Sequence, residues 1–179
     1  AGVDPSRLPP LVAIDGTERR LLAARSYVRS STSLAQRWSW DSAQTDAFLQ
    51  SPAKIELDAA VAQVVCQFQR SNPEHTLFVN PEFRTLERQV ERWNTNVSVA
   101  QAAADLAAKL RLASTGMPPG STEEGRRLFR QLLTDTRPSP TPTLAAPGLS
   151  RHGQMGAIDF QVMKGSELVA GTESDAARQ

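Results

Sequence analysis

Two side chains of this 179-residue chain, His152 and Asp159, have types and spacing that could hold a metal ion. They lie in Ala146-Pro-Gly-Leu-Ser150-Arg-His152-Gly-Gln-Met-Gly156-Ala-Ile-Asp159-Phe160. Two glycines within five residues argue against a helix there. From Ala157 onward the pattern alternates, with Ile158, Phe160 and Val162 on one side and Ala157, Asp159 and Gln161 on the other, as a strand requires. Asp159 is thereby presented opposite the apolar stripe, beside a small residue that leaves room for a ligand. The glycine-containing turn can fold His152 back towards it. An imidazole and a carboxylate converging in this way are two of the three protein ligands that a catalytic zinc uses, its fourth position being left for water.

The run Pro147-Gly148-x-Ser150-x-His152-x4-Ala157-x-Asp159 resembles the Ser-x-His-x-x-Gly-x-Ala-x-Asp signature of the LAS metallopeptidases. That group includes the VanY-like and VanX-like D-Ala-D-Ala peptidases and the hedgehog signalling domain. One departure is visible: the signature sets a glycine at position 155, and here the glycine is Gly156. Upstream, in the family's order, Phe83-Arg84-Thr85-Leu86-Glu87-Arg88-Gln89 is similar to the family's Tyr-Arg-Ser-x-x-x-Gln segment. The resemblance implies a zinc-dependent D,D-peptidase, carboxypeptidase or endopeptidase, acting on peptidoglycan stem peptides in the periplasm or outside the cell. It implies His152 and Asp159 as Zn2+ ligands and Gln89 and Ser150 as substrate contacts. Arg84 is implied as the guanidinium that supports a developing negative charge, since a fixed guanidinium offers charge-assisted donors to oxygen.

The family's third ligand is a histidine near the C-terminus, in a Glu-x-x-His segment whose glutamate acts as general base. Only His75 and His152 are present here, and no such segment follows Asp159. The preferred expectation is that the remaining C-terminal part of the same protein supplies it. His75 as substitute ligand is a second explanation, and a catalytically incomplete homologue that binds peptidoglycan or a protein is a third. Glu167 and Glu173 are the residues conceivable as a base in its place.

The elements that must position these groups are read from periodicity. Leu21, Ala24 and Val28 suggest a first helix, with Asp15 and Thr17 as caps. Leu57, Val61, Val64, Val65 and Phe68 form the stripe of a second helix starting near Pro52. Trp38 and Trp40 lie between the two and are expected to pack a loop onto the core. Thr76-Leu-Phe-Val79 reads as a short buried strand, followed by a helix with Leu86, Val90 and Trp93 inward. Ser98-Val-Ala-Gln101 has capping-box form and opens a helix carrying Ala102, Ala103, Leu106 and Leu110. Ser121-Thr-Glu-Glu124 opens another, with Leu128, Phe129, Leu132 and Leu133. The segment from Arg137 to Gly148 holds four of the twelve prolines and reads as extended; a strand, turn and strand follow Asp159. The expected fold is α+β, and the resemblance makes it a hedgehog/DD-peptidase-like antiparallel sheet with flanking helices. Residues 1–72 are expected to form a helical extension packed on a peptidase core of 73–179.

Composition bounds the remainder. Hydrophobic residues make up 40% and charged ones 22%, with a formal charge of +1, so nothing electrostatic favours nucleic acid as a partner. No apolar run reaches membrane-spanning length, and export is inferred from the implied function alone. The single cysteine, Cys66, has no internal disulfide partner. It lies in the apolar stretch Val61–Phe68 and is expected to be a buried structural thiol.

Overall fold

Short polar residues at four helix starts set where the chain turns. The computed structural model describes residues 9–30, 36, 38–80, 83–118, 120–155 and 157–171. The elements are α1 (Pro9–Val12), α2 (Thr17–Arg29), α3 (Ser42–Leu49), α4 (Pro52–Ser71), β1 (Thr76–Asn80), α5 (Leu86–Thr95), α6 (Val97–Ala113) and α7 (Glu123–Asp135). A 3-10 turn (Arg151–Gln154), β2 (Asp159–Lys164) and β3 (Glu167–Gly171) complete them. Asp41 and Gln44 form a capping box on α3, while Thr85, Asn96 and Thr122 cap α5, α6 and α7 through their side chains. Each satisfies an amide that the first helical turn would otherwise leave without a partner. Two expected caps are corrected. Asn96 rather than Ser98 caps α6, because the helix begins two residues sooner. The N-cap of α2 is Gly16, with no side-chain bond.

The core forms where α2 crosses the alanine-rich face of α6. Leu22, Ala23 and Tyr27 meet Val99, Ala102, Ala103, Leu106 and Leu110, with Val90 and Trp93 of α5 and Leu133 of α7 closing around them. Ala102 and Ala103 allow close backbone approach, and each fully buried leucine-sized side chain stabilises by about 1.5–3 kcal/mol. The inward face of α2 is therefore rotated from the expected one: Leu22, Ala23 and Tyr27 are buried, and Leu21, Ala24 and Val28 flank them. Leu21-Leu-Ala-Ala24 offers two adjacent apolar faces, and the large Tyr27 selects between them. Although it belongs to the first 72 residues, α2 contributes to the same core as α5 and α6. Arg25 of α2 is also buried; it donates from Nε to Thr136 O (2.6 Å) and from Nη2 to Thr134 O (3.4 Å) at the C-terminal end of α7. A cation favours that end of a helix dipole, while burial, and then Arg29 and Arg137, push the Arg25 pKa down.

The class is α+β, and the described residues form one small antiparallel sheet in the order β1-β2-β3. Leu77 pairs with Val162 and Val79 with Phe160, so these four share a face; Phe78 pairs with Gln161 and Asn80 with Asp159 on the other. The proline segment is neither helix nor strand and is held by side chains and local bonds instead. Asp105 accepts from Ser139 N (2.8 Å), Ser98 Oγ accepts from Thr143 N (3.0 Å), and Tyr27 donates to Pro147 O (2.7 Å). Burial raises the Tyr27 pKa above its ordinary value, so the hydroxyl keeps the proton it donates.

Helix α4 packs differently, for it contains no buried residue. Leu57, Val61, Val65 and Phe68 are half-buried along one flank, while Val64 is 50% exposed. Cys66 is exposed, which corrects the expectation of a buried thiol. A 3.6-residue period puts position 66 on the side of the helix away from 57, 61, 65 and 68. Native protein should thus react with a thiol reagent such as 5,5′-dithiobis(2-nitrobenzoate) within a few-fold of the rate of urea-unfolded protein. Protection of about a hundredfold or more, as global unfolding control would give, would contradict this placement.

Candidate functional site

Strand register brings the two sequence motifs together. Asp159, the first residue of β2, pairs with Asn80, the last residue of β1. The chain leaving β1 reaches Arg84 four residues later, just before α5. Arg84 Nη2 donates to Asp159 Oδ2 at 3.1 Å, and His152 Nε2 stands 3.7 Å from Asp159 Oδ1. The three groups singled out in the sequence therefore converge, with the carboxylate between the other two. The side chains of His152 and Asp159 are 21% and 13% exposed, so each is sheltered yet open to a small ligand.

A backbone scaffold fixes this arrangement. The extended residues Trp38–Trp40 run between the 146–154 turn and the start of α5. Ser39 N donates to Gly148 O (3.0 Å), Trp40 N to Gly153 O (2.7 Å) and Leu86 N to Trp40 O (2.9 Å). Gln154 Nε2 donates to Trp38 O at 2.6 Å. Gln89 joins the same strip from beneath: its Nε2 donates to Arg84 O (2.7 Å), and its Oε1 accepts from Gly148 N (2.9 Å) and Ser39 Oγ (3.3 Å). Two glycines are required by contact. At Gly148 (φ +87°) an added Cβ would meet the Trp38 ring at 2.6 Å, and at Gly153 it would meet Ser39 Oγ at 1.8 Å.

Gln89 and Ser150, expected as substrate contacts, are engaged in positioning. Gln89 is buried and spends both ends of its amide inside the scaffold. Ser150 Oγ accepts from His152 N at 3.3 Å and caps the 3-10 turn. Neither side chain lines the pocket in front of His152 and Asp159. No local sequence pattern marks the Trp38–Trp40 backbone or Ser39 as part of the site, since their bonds reach across more than forty residues.

That pocket lies between α4 and the sheet end, with Lys54, Leu57, Asp58 and Val61 on the helical side and Phe83, Met155 and Ile158 among the residues opposite. Its cavity volume is about 100 Å3, below the usual range for whole small-molecule sites, so it has room for one small group rather than a complete ligand. Met155 adopts φ 57°, ψ 21° at the end of the 3-10 turn. This is the position where the resembled signature sets a glycine, and the backbone has the left-handed form a glycine would take without penalty. Met155 is a non-glycine residue held in that conformation.

The ligand set can be tested for zinc directly. Two ligands of one tetrahedral zinc stand about 3.3 Å apart at bond lengths of about 2.0–2.2 Å, close to the 3.7 Å between His152 Nε2 and Asp159 Oδ1. Among the described residues, however, no group of three His, Cys, Asp or Glu side chains comes together. His75 therefore does not join His152 and Asp159 as a third ligand; Glu173 lies outside the described residues. The described residues furnish a pair of ligands and do not by themselves fit a catalytic zinc. Comparison with protein-family models, curated proteins and solved structures finds no match to this chain.

Two positions check the geometry. Gln89→Leu strands the Gly148 amide and the Arg84 carbonyl in the interior and should destabilise by about 2–4 kcal/mol in urea unfolding, with faster amide exchange at Gly148. Met155→Gly should stabilise or leave stability unchanged within about 1 kcal/mol, while Met155→Val should cost about 1–2 kcal/mol. Unchanged stability in Met155→Val would show that the left-handed conformation is wrong.

Proposed function

We propose that this chain carries the His/Asp half of the site of a zinc-dependent D,D-peptidase of the LAS type with a hedgehog/DD-peptidase-like fold, acting on peptidoglycan stem peptides outside the cytoplasm. The observation that carries the reading is the convergence of Arg84, His152 and Asp159 beside one pocket, which the last two line. These are the residues that the two motifs put forward from positions 75 residues apart. The left-handed backbone at Met155 adds support, because it occupies the place of the signature's glycine.

In this reading the third ligand and the general base come from polypeptide outside the described residues. What the chain itself does can be derived without them. Arg84 holds one oxygen of Asp159 and so turns the other towards His152, an outer-shell contact that orients a ligand carboxylate. The guanidinium also puts fixed positive charge beside the point where a scissile carbonyl would develop negative charge, and such preorganised charge stabilises transition states in sheltered sites. The apolar walls restrict water around the peptide bond.

A second reading, a non-catalytic module that binds peptidoglycan or a protein through the same pocket, is favoured by the incomplete ligand set among the described residues. Zinc binding and hydrolysis separate the two. Equilibrium dialysis of residues 1–179 should find zinc held through His152 and Asp159, with affinity at least about tenfold weaker in His152→Ala and in Asp159→Ala. Retention of full zinc affinity by both variants would eliminate the metal site. In the polypeptide that completes the ligand set, release of D-Ala from diacetyl-L-Lys-D-Ala-D-Ala should fall about 100- to 1000-fold in Arg84→Ala. Zinc without any cleavage in that polypeptide favours the binding module.

A further inference from the structure

The outer wall of the pocket carries a charge that neither the metal pair nor Arg84 accounts for. We propose that Lys54 binds the terminal carboxylate of a peptide ending in a small apolar residue, so that the site acts on chain ends rather than on internal bonds. The inference rests on the peptidase reading and decides between its carboxypeptidase and endopeptidase forms.

Lys54 lies in the first turn of α4 and lines the same pocket as His152 and Asp159. Its side chain is only 22% exposed, and Nζ meets Asp58 Oδ2 at 2.5 Å one turn further along the helix. Asp58 is 62% exposed. A carboxylate so well solvated is a weakly held partner, so an arriving carboxylate can join or replace it on the ammonium with little loss. Arg84 is committed to Asp159, which leaves Lys54, among the described residues, as the lysine or arginine that faces the pocket.

The surroundings of Lys54 define the rest of the ligand. Leu57 and Val61 follow it at i+3 and i+7 and therefore share its face of α4. Phe83 and Ile158 stand among the residues across the pocket. A ligand that satisfies this lining has an anionic end at Lys54, a small apolar group against the leucine and valine, and an amide directed to His152 and Asp159. The last residue of a D-Ala-ended stem peptide has that chemistry. An internal peptide bond brings no charge to Lys54 and leaves the ammonium with Asp58 alone.

Calorimetric titration of the 179-residue chain with diacetyl-L-Lys-D-Ala-D-Ala and with its C-terminal amide tests the assignment. The acid should bind about tenfold more tightly than the amide, as a charge-assisted contact provides. In Lys54→Met the acid should bind no better than the amide, and Lys54→Arg should restore most of the preference. Asp58→Asn removes the competing carboxylate from an exposed position and should increase the preference about two- to threefold, a change in the direction that misfolding cannot produce. Equal binding of acid and amide by the unmodified chain, or an intact preference in Lys54→Met, would overturn the role of Lys54 while the peptidase reading stands. Failure of both peptides to bind would overturn this inference, while the peptidase reading is decided separately by the zinc and hydrolysis measurements above.

Discussion

A buried primary amide must have its donors and acceptor satisfied, and at Gln89 that requirement organises the site. Its carbonyl oxygen receives the Gly148 amide and the Ser39 hydroxyl while its nitrogen donates to the Arg84 carbonyl. Three segments far apart in sequence are thereby tied to one point on α5. The backbone of Arg84 is fixed, which sets where its guanidinium starts. Gly148 is fixed four residues before His152, which sets where the 3-10 turn begins. Stranding a buried polar group costs about 1–3 kcal/mol, a sizeable share of the roughly 5–15 kcal/mol by which a domain is stable. The same amide thus serves folding and site geometry at once.

The ion pair between Arg84 and Asp159 depends on that frame. A sheltered carboxylate needs a compensating partner, and here the guanidinium supplies one through Oδ2 while Oδ1 faces the imidazole. The arrangement divides the carboxylate into an inner oxygen that is already satisfied and an outer one turned to the pocket. A group arriving in the pocket therefore meets an oriented acceptor rather than a freely rotating one, and little reorganisation is needed when it binds. That division follows from the strand register: Asp159 opens β2 directly opposite the end of β1, from which the chain proceeds to Arg84.

Much of this is legible in the sequence because its signals are local. The inward faces of α5 and α6 follow from Leu86, Val90 and Trp93 and from Ala102, Ala103, Leu106 and Leu110, all of them buried. The alternation after Ala157 marks β2, and the residue types at Arg84, His152 and Asp159 mark the three groups that converge. The departures have equally physical origins. Cys66 belongs to an apolar run, yet its helical phase turns it outward, and an apolar run alone does not carry that phase. On α2 two adjacent apolar stripes compete, and only the tertiary pocket for Tyr27 decides between them. For Gln89 and Ser150, a motif records which residues matter near a site, whereas only the folded arrangement shows whether a polar side chain turns to the ligand or to the backbone. The service of Trp38–Trp40 as a backbone bridge leaves no side-chain pattern at all.

The two walls of the pocket differ in how firmly they are held. On the sheet side, residues 146–154 are bonded to Trp38–Trp40 and to Gln89, and contacts at Gly148 and Gly153 leave no room even for a methyl group. On the other side, α4 buries none of its residues and touches the pocket through one half-buried flank. Local stability follows buried contact, so the wall that carries His152 and Asp159 is held firmly while the wall that contains Lys54, Leu57 and Val61 can adjust at lower cost. Substitution on α4 can then reshape the pocket without disturbing the arrangement of Arg84, His152 and Asp159.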